Sequence, residues 1–324
     1  LEMGYGFGRE DVGESLLRAI ALAPSPVAEV LAPLVERAWK AAITRDFPVL
    51  LPLWSAQAVG QPTPLTLDVA AAWSGLYLAA KLLDDLQDGD PSILGPSTEA
   101  HTDLNVATAL LFACCACLGR EGGHEPTRGR LLVSEFARYG LAVTAGQERG
   151  AHMDESADPL EWAWQVLSAK GGRPFSLACR AGALSAGAGG REATAMTEVG
   201  MCIGEMIQLL DDLIGLGGDD PADLRTGSMA LAYGLSVAEG ADAEELAARL
   251  AEVRSGRREA VAGVYAKLQE MGADRYLRLE ASARAVKARQ LLLDPTLNRA
   301  SSGWTALADT VAWLDPVGRH GPAS

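Results

Sequence analysis

Gly204-Glu205-Met206-Ile207-Gln208-Leu209-Leu210-Asp211-Asp212 closes one long apolar run, and Lys81-Leu82-Leu83-Asp84-Asp85-Leu86-Gln87-Asp88 closes another more than a hundred residues earlier. The two runs, 192–214 and 64–88, are apolar nearly all round, which predicts helices buried in the middle of a bundle. Each ends on adjacent carboxylates. Asp84 and Asp88 stand at i and i+4, so they share a face about one turn apart. Like charges at that spacing repel, and the C-terminal end of a helix disfavours negative charge. Such an end is either a solvated acidic terminus or a place where a cation binds. Magnesium takes carboxylate oxygens and keeps waters for exchange with phosphate. The apolar stretch from Tyr77 to Leu83 speaks for the cation. Lys81, one turn before Asp85, is placed to pair with it.

Outward from these runs the pattern is helix, short break, helix. Periodicity predicts helices at 10–23, 26–44, 47–59, 64–88, 99–118, 126–148, 158–186, 192–214, 228–238, 242–254, 256–271, 274–292 and 302–315. Gly171, Gly172 and Pro174 should break or kink the seventh. Alanine and leucine fill the apolar positions and β-branched runs of strand length are scarce, so the fold class is all-α. No linker, solenoid repeat or low-complexity tract interrupts the chain, and residues 1–324 are expected to form one domain. Leu1-Glu2 ahead of Met3 reads as a cloning-derived addition, and residues 1–8 as flexible.

The formal charge is −14, from 42 acidic and 28 basic residues, which argues against nucleic acid or an anionic membrane as partner. An anionic substrate remains compatible, because a divalent metal inverts the local sign. The five cysteines, Cys114, Cys115, Cys117, Cys179 and Cys202, lack zinc spacing and read as reduced thiols. The four histidines are scattered and read as surface residues. No basic and apolar leader opens the chain, and no uninterrupted apolar run reaches the roughly 20 residues of a membrane span. A cytoplasmic location is expected.

Two aspartate clusters, each closing a buried helix, resemble the trans-prenyltransferase (polyprenyl synthetase) family of the isoprenoid synthase superfamily. Its first motif, D-D-x-x-D, is similar to Asp84, Asp85 and Asp88. Its second, G-x-x-F/Y-Q-x-x-D-D-x-x-D, is similar to Gly204, Gln208, Asp211 and Asp212, with Ile207 at the aromatic position. The family's D-L-x-x-G-K segment resembles Asp223-Leu224-Arg225-Thr226-Gly227-Ser228. Its mid-chain lysine resembles Lys170 before Gly171-Gly172-Arg173-Pro174-Phe175, and its G-Q pair resembles Gly146-Gln147. The likeness runs over about residues 40–240. It implies an isoprenoid synthase-type bundle around a central apolar cavity, with the two motifs facing each other and holding two or three magnesium ions. It implies metal ligation by Asp84, Asp88 and Asp211, with Asp85 and Asp212 in the same catalytic clusters. Lys170, Arg173, Gln208, Arg225 and Gln147 would bind the diphosphate, and a homodimer is expected.

The chain departs from that pattern in several places. Gly215 stands where the second motif has its third aspartate, with Asp219 and Asp220 as nearby substitutes. Ser228 replaces the family lysine. Asp90-Pro91-Ser92-Ile93-Leu94 replaces an arginine pair. Ile43-Thr44-Arg45-Asp46-Phe47-Pro48 replaces the basic segment that holds isopentenyl diphosphate, leaving Arg45 as its one cation. Arginines make strong bidentate bonds to diphosphate, so their loss weakens the second-substrate side. The expected activity is ionisation of an allylic prenyl diphosphate by a divergent prenyltransferase. The moenomycin-type prenyltransferase has a stretch similar to Lys81-Leu82-Leu83-Asp84-Asp85-Leu86. A terpene cyclase on the same frame, needing one diphosphate, and a non-catalytic subunit of a partner synthase are the alternatives. Trp73, Trp162 and Trp164 are expected in the core. Phe112 and the stretch from Cys114 to Cys117 are expected in tight helix packing, or on a cavity floor.

Overall fold

The helix that carries Asp84, Asp85 and Asp88 starts at a reciprocal cap. Thr63 Oγ1 accepts from the Thr66 N–H at 3.3 Å, and Thr66 Oγ1 accepts from the Thr63 N–H at 3.0 Å. Pro64 takes the first turn, where its missing N–H leaves nothing unpaired. The helix stops where Gly89 adopts a left-handed φ of 76°. The N–H groups of Gly89 and Asp90 both return to the Asp85 carbonyl.

The computed structural model describes residues 6–120, 126–151, 157–218, 224, 228–257 and 259–318. Its helices are α1 (Arg9–Ile20), α2 (Ser25–Ala42), α3 (Leu51–Val59), α4 (Pro64–Asp88), α5 (Ala100–Leu118), α6 (Pro126–Ala151), α7 (Pro159–Leu167), α8 (Arg173–Ser185) and α9 (Gly190–Gly215). They continue as α10 (Met229–Val237), α11 (Gly240–Arg254), α12 (Ala260–Glu270), α13 (Ala273–Leu292) and α14 (Ser302–Leu314). No strand occurs among the described residues, and the all-α expectation holds.

Three predicted elements change. The helix expected from residue 47 starts at Leu51, behind a turn over 47–50 that contains a cis Phe47–Pro48 peptide. The helix expected from residue 256 starts at Ala260, because Gly256 has a φ of 92°. The break expected at Gly171, Gly172 and Pro174 is a π turn, Ser168–Gly172, that joins α7 to α8 without interruption. The wider turn lets the chain pass the proline while staying helical.

The chain divides into two compact units. The first holds Leu1–Arg138, Leu177–Thr197 and Leu292–Leu307. Within it α4 packs against α5, α1 and α3. Trp73, Leu78, Leu82, Leu16 and Leu110 are fully buried there, each burial contributing roughly 1.5–3 kcal/mol. A Cβ on Gly75 would stand 3.2 Å from both Cys114 Sγ and Leu16 Cδ1, so glycine sets how closely these helices approach. Asp68 accepts from Ser15 Oγ and from Arg120, which also donates to the Ser15 carbonyl. These bonds tie α1 and α4 to the end of α5.

The second unit holds Tyr139–Ser176, Glu198–Leu291 and Ala308–Ser324. Within it α10 packs on α7, and α11 on α12. The Lys267 side chain is 5% exposed and donates to Asp242 at 2.7 Å, with Glu245 at 3.0 Å. Those two carboxylates hold its ammonium above the ordinary lysine value. Asp315 accepts from Ser282 Oγ, the Arg289 guanidinium and the N–H groups of Val317 and Gly318.

Among the described helices, α5 alone has the length and hydropathy, 1.4, of a membrane span. That mean hydropathy qualifies although His101, Asp103 and Asn105 interrupt the apolar run. Its buried side chains, from Val106 to Leu118, lie in the core of the first unit. Its outer stripe, Leu104, Leu111, Phe112 and Cys115, is exposed. Phe112, 72% exposed, therefore leaves the packing expected of it, because its turn of α5 points away from α4.

Candidate active site

In the first unit, Asp84, Asp85 and Asp88 occupy the last turns of α4. Asp84 is half-buried and Asp88 exposed. Asp85 is 4% exposed, and its Oδ1 accepts from Lys81 Nζ at 2.6 Å. Burial pulls the Lys81 ammonium down, but that bond and the fields of Asp85 and Asp84 outweigh it and lift the group above its ordinary value. Asp85 Oδ2 is buried and has no hydrogen-bond partner. An unsatisfied buried oxygen of this kind costs about 1–3 kcal/mol. A hard cation or an ordered water relieves it, and the all-oxygen donor set suits magnesium. Arg45 is exposed in the segment between α2 and α3.

In the second unit, Gly204 brings α9 onto the π turn. A Cβ on Gly204 would run into the Gly171 carbonyl, and one on Gly171 into the Gln208 side chain. A Cβ on Gly172 would meet Met201. Gly146 is pressed against Ala169, and Gly150 lies beside the stem of Lys170, whose Cδ would stand 3.6 Å from an added Cβ. These glycines draw the half-buried Gln147, Lys170 and Gln208 to one crossing of α6, the π turn and α9. Asp211 is exposed one turn after Gln208. Asp212 accepts the Met229 N–H at 2.6 Å, a favourable place for a carboxylate at the start of α10. Ser228, where the resemblance expects lysine, caps the same helix by accepting from the Leu231 N–H at 3.3 Å. Arg173 is exposed at the start of α8. Arg225, with Asp219, Asp220 and Asp223, lies outside the described residues. Among the described residues, no three His, Cys, Asp or Glu side chains are grouped so as to hold an ion by themselves.

Residues that the sequence did not assign to the site surround the π turn. Glu205 accepts from Ser168 Oγ at 2.7 Å and from Arg284 Nε at 3.1 Å. The Arg284 guanidinium lies 3.9 Å over the Trp164 ring, and Trp164 Nε1 donates to the Tyr276 hydroxyl at 3.0 Å. Trp73 and Trp162 are buried as expected, whereas Trp164 is half-buried and carries this polar contact. Glu205 occupies a variable position of the resembled motif, and Arg284 is far away in sequence, so only spatial contact reveals the pair.

No family model matches the chain. A nonaprenyl diphosphate synthase of Mycobacterium tuberculosis is 27% identical over 181 residues, 54% of this chain and 52% of that protein. The chain thus matches about half the length of this curated relative. A decaprenyl diphosphate synthase from Rhodobacter capsulatus superposes with a TM-score of 0.78 at 20% identity, covering 96% of this chain and 97% of that one. The fold is that of the prenyl diphosphate synthases. A geranylgeranyl pyrophosphate synthetase from Pyrococcus horikoshii gives 0.76 at 16% identity, covering 95% of each chain. A geranylgeranyl pyrophosphate synthase from Corynebacterium glutamicum, complexed with calcium and isoprenyl diphosphate, gives 0.74 at 22% identity and covers 96% of each. The chain is therefore similar to trans-prenyl diphosphate synthases in sequence, and it shares the synthase fold.

Proposed function

We propose that this chain works as one domain, a magnesium-dependent prenyltransferase that ionises an allylic prenyl diphosphate. The observation that carries the proposal is the crossing of α9 and the π turn. Lys170 rides on a turn pressed against Gln208, one helical turn before Asp211. In this reading Asp84, Asp88 and Asp211 ligate the metal. Magnesium, when bound, supplies Lewis-acid stabilisation of the departing pyrophosphate. The residues that would hold it offer carboxylate oxygens, the donor type magnesium takes. Lys170, Gln208, Gln147, Arg173 and Arg225 orient the diphosphate.

Arg45 is a weak remnant of a second-substrate site, so allylic ionisation should depend little on isopentenyl diphosphate. The similarity to the moenomycin-type prenyltransferase, which rests on residues 81–86, suggests an acceptor other than isopentenyl diphosphate. The expected homodimer is assigned to the exposed stripe of α5, and a cytoplasmic location goes with this substrate class.

The test supplies magnesium and allylic diphosphates of several chain lengths, with and without isopentenyl diphosphate. Expected is metal-dependent pyrophosphate release that isopentenyl diphosphate does not stimulate. Asp84→Ala should lower it by about a hundredfold or more. Saturable formation of a longer linear diphosphate would restore the elongating synthase. A cyclic hydrocarbon would identify the cyclase, and no release at any length would identify the non-catalytic subunit.

A further inference from the structure

We infer that Glu205, acting through Ser168, is a positioning residue for Lys170: the Arg284–Glu205–Ser168 chain holds the π turn in the register that aims the ammonium at diphosphate. The inference rests on the reading of Lys170 as a diphosphate contact.

The turn is fixed at both ends. At its start, Ser168 Oγ donates to Glu205 Oε1 at 2.7 Å. At its finish, Gly171 and Gly172 lie against Gly204 and Met201, where a side chain would not fit. Lys170 sits between these anchors. Glu205 is itself immobilised. Its second oxygen accepts from Arg284 Nε at 3.1 Å, and its side chain is 13% exposed. Arg284 is held by Glu280 and by the face of Trp164, which lies one turn before Ser168. Trp164 is anchored by Tyr276, and Tyr276 stacks on Tyr233 at 4.4 Å. The arginine therefore grips the chain ahead of the π turn directly, through Trp164, and the turn itself through Glu205.

A π turn is an unfavourable insertion in a helix and persists where contacts hold it. Without the Ser168 bond the segment has a cheap alternative, ordinary α-helical register. That shift would rotate Lys170 about the helix axis while leaving the helix intact.

The experiment measures magnesium pyrophosphate binding by calorimetry, with melting temperature recorded in parallel. Lys170→Ala should weaken binding about tenfold or more, the scale of a charge-assisted bond. Ser168→Ala should weaken it about threefold to tenfold while the protein still unfolds in one cooperative transition, and Ser168→Thr, which keeps the hydroxyl, should restore it. The double variant Ser168→Ala/Lys170→Ala should bind no worse than Lys170→Ala alone, because the serine acts only through the lysine. Wild-type affinity in Ser168→Ala with weakened Lys170→Ala would overturn the positioning role and leave the diphosphate reading standing. Additive losses in the double variant would also overturn it. Wild-type affinity in Lys170→Ala would sink both.

Discussion

At the scale of single residues, Asp315 shows how local bonds set a charge. Burial pushes its carboxyl up, but the N–H groups of Gly318 and Val317, Ser282 Oγ and the Arg289 guanidinium outweigh it and hold the group at about 2. A folded value below the ordinary 3.8 contributes stability above about pH 4, and that contribution is lost as pH falls through about 2. Asp315→Asn should therefore cost on the order of 1–2 kcal/mol at pH 7, discounted for solvent, with the difference from wild type vanishing near pH 2 in denaturant melts. The thiols give a second residue-scale case. Burial pushes Cys117 and Cys179 up to about 12 and Cys202 to about 11, and it raises Cys114 well above its ordinary value. Only Cys115 is exposed among the five. Residue identity was legible in the sequence where a motif is local, as for Asp84, Asp88, Gln208 and Asp211. It was not legible where the partner is distant. Asp212, expected in the same catalytic cluster as Asp211, also accepts the Met229 N–H at the start of α10 through its Oδ2, a partner its neighbours in sequence do not reveal.

At the scale of elements, the apolar periodicity of α4 and α9 carries nearly all the information. Both helices fall within two residues of their predicted limits, because a long buried helix needs apolar residues on every face. The π turn was hidden for a physical reason. Gly171, Gly172 and Pro174 read locally as a breaker, and only the facing helix decides whether the chain bends or widens. That facing contact is backbone against backbone, so it tolerates no added atom. Gly204→Ala should destabilise the protein by about 1–3 kcal/mol in chemical denaturation, the usual cost of overpacking. Gly140→Ala, on α6 with open space around its missing Cβ, should be neutral or slightly stabilising in the same measurement. Equal effects of the two substitutions would show that the crossing is looser than its geometry.

At the scale of the whole molecule, sequence reading reached the all-helical class and the synthase fold but not the division into two compact units. Composition is uniform along the chain, so no linker marks that division. The exposed stripe of α5 likewise escaped notice, since Phe112 and its neighbours look like core residues in a one-dimensional pattern. If that stripe joins two copies, Phe112→Glu should yield a monomer in sedimentation or light scattering. Cys115 then serves as a reporter: its thiol should react slowly with a disulfide reagent in the wild type and quickly in the variant. A wild-type monomer with a fast Cys115 would remove the dimer from the proposal.

The pairing of Lys81 with Asp85 has a stoichiometric consequence. Three carboxylates and one ammonium leave the end of α4 with two net negative charges, the equal and opposite of a single divalent ion. One ion brings the patch to electroneutrality. A second leaves it positive unless an anion arrives with it. Cation uptake at this helix end should therefore stop at one ion in the absence of pyrophosphate, and go further only in step with it.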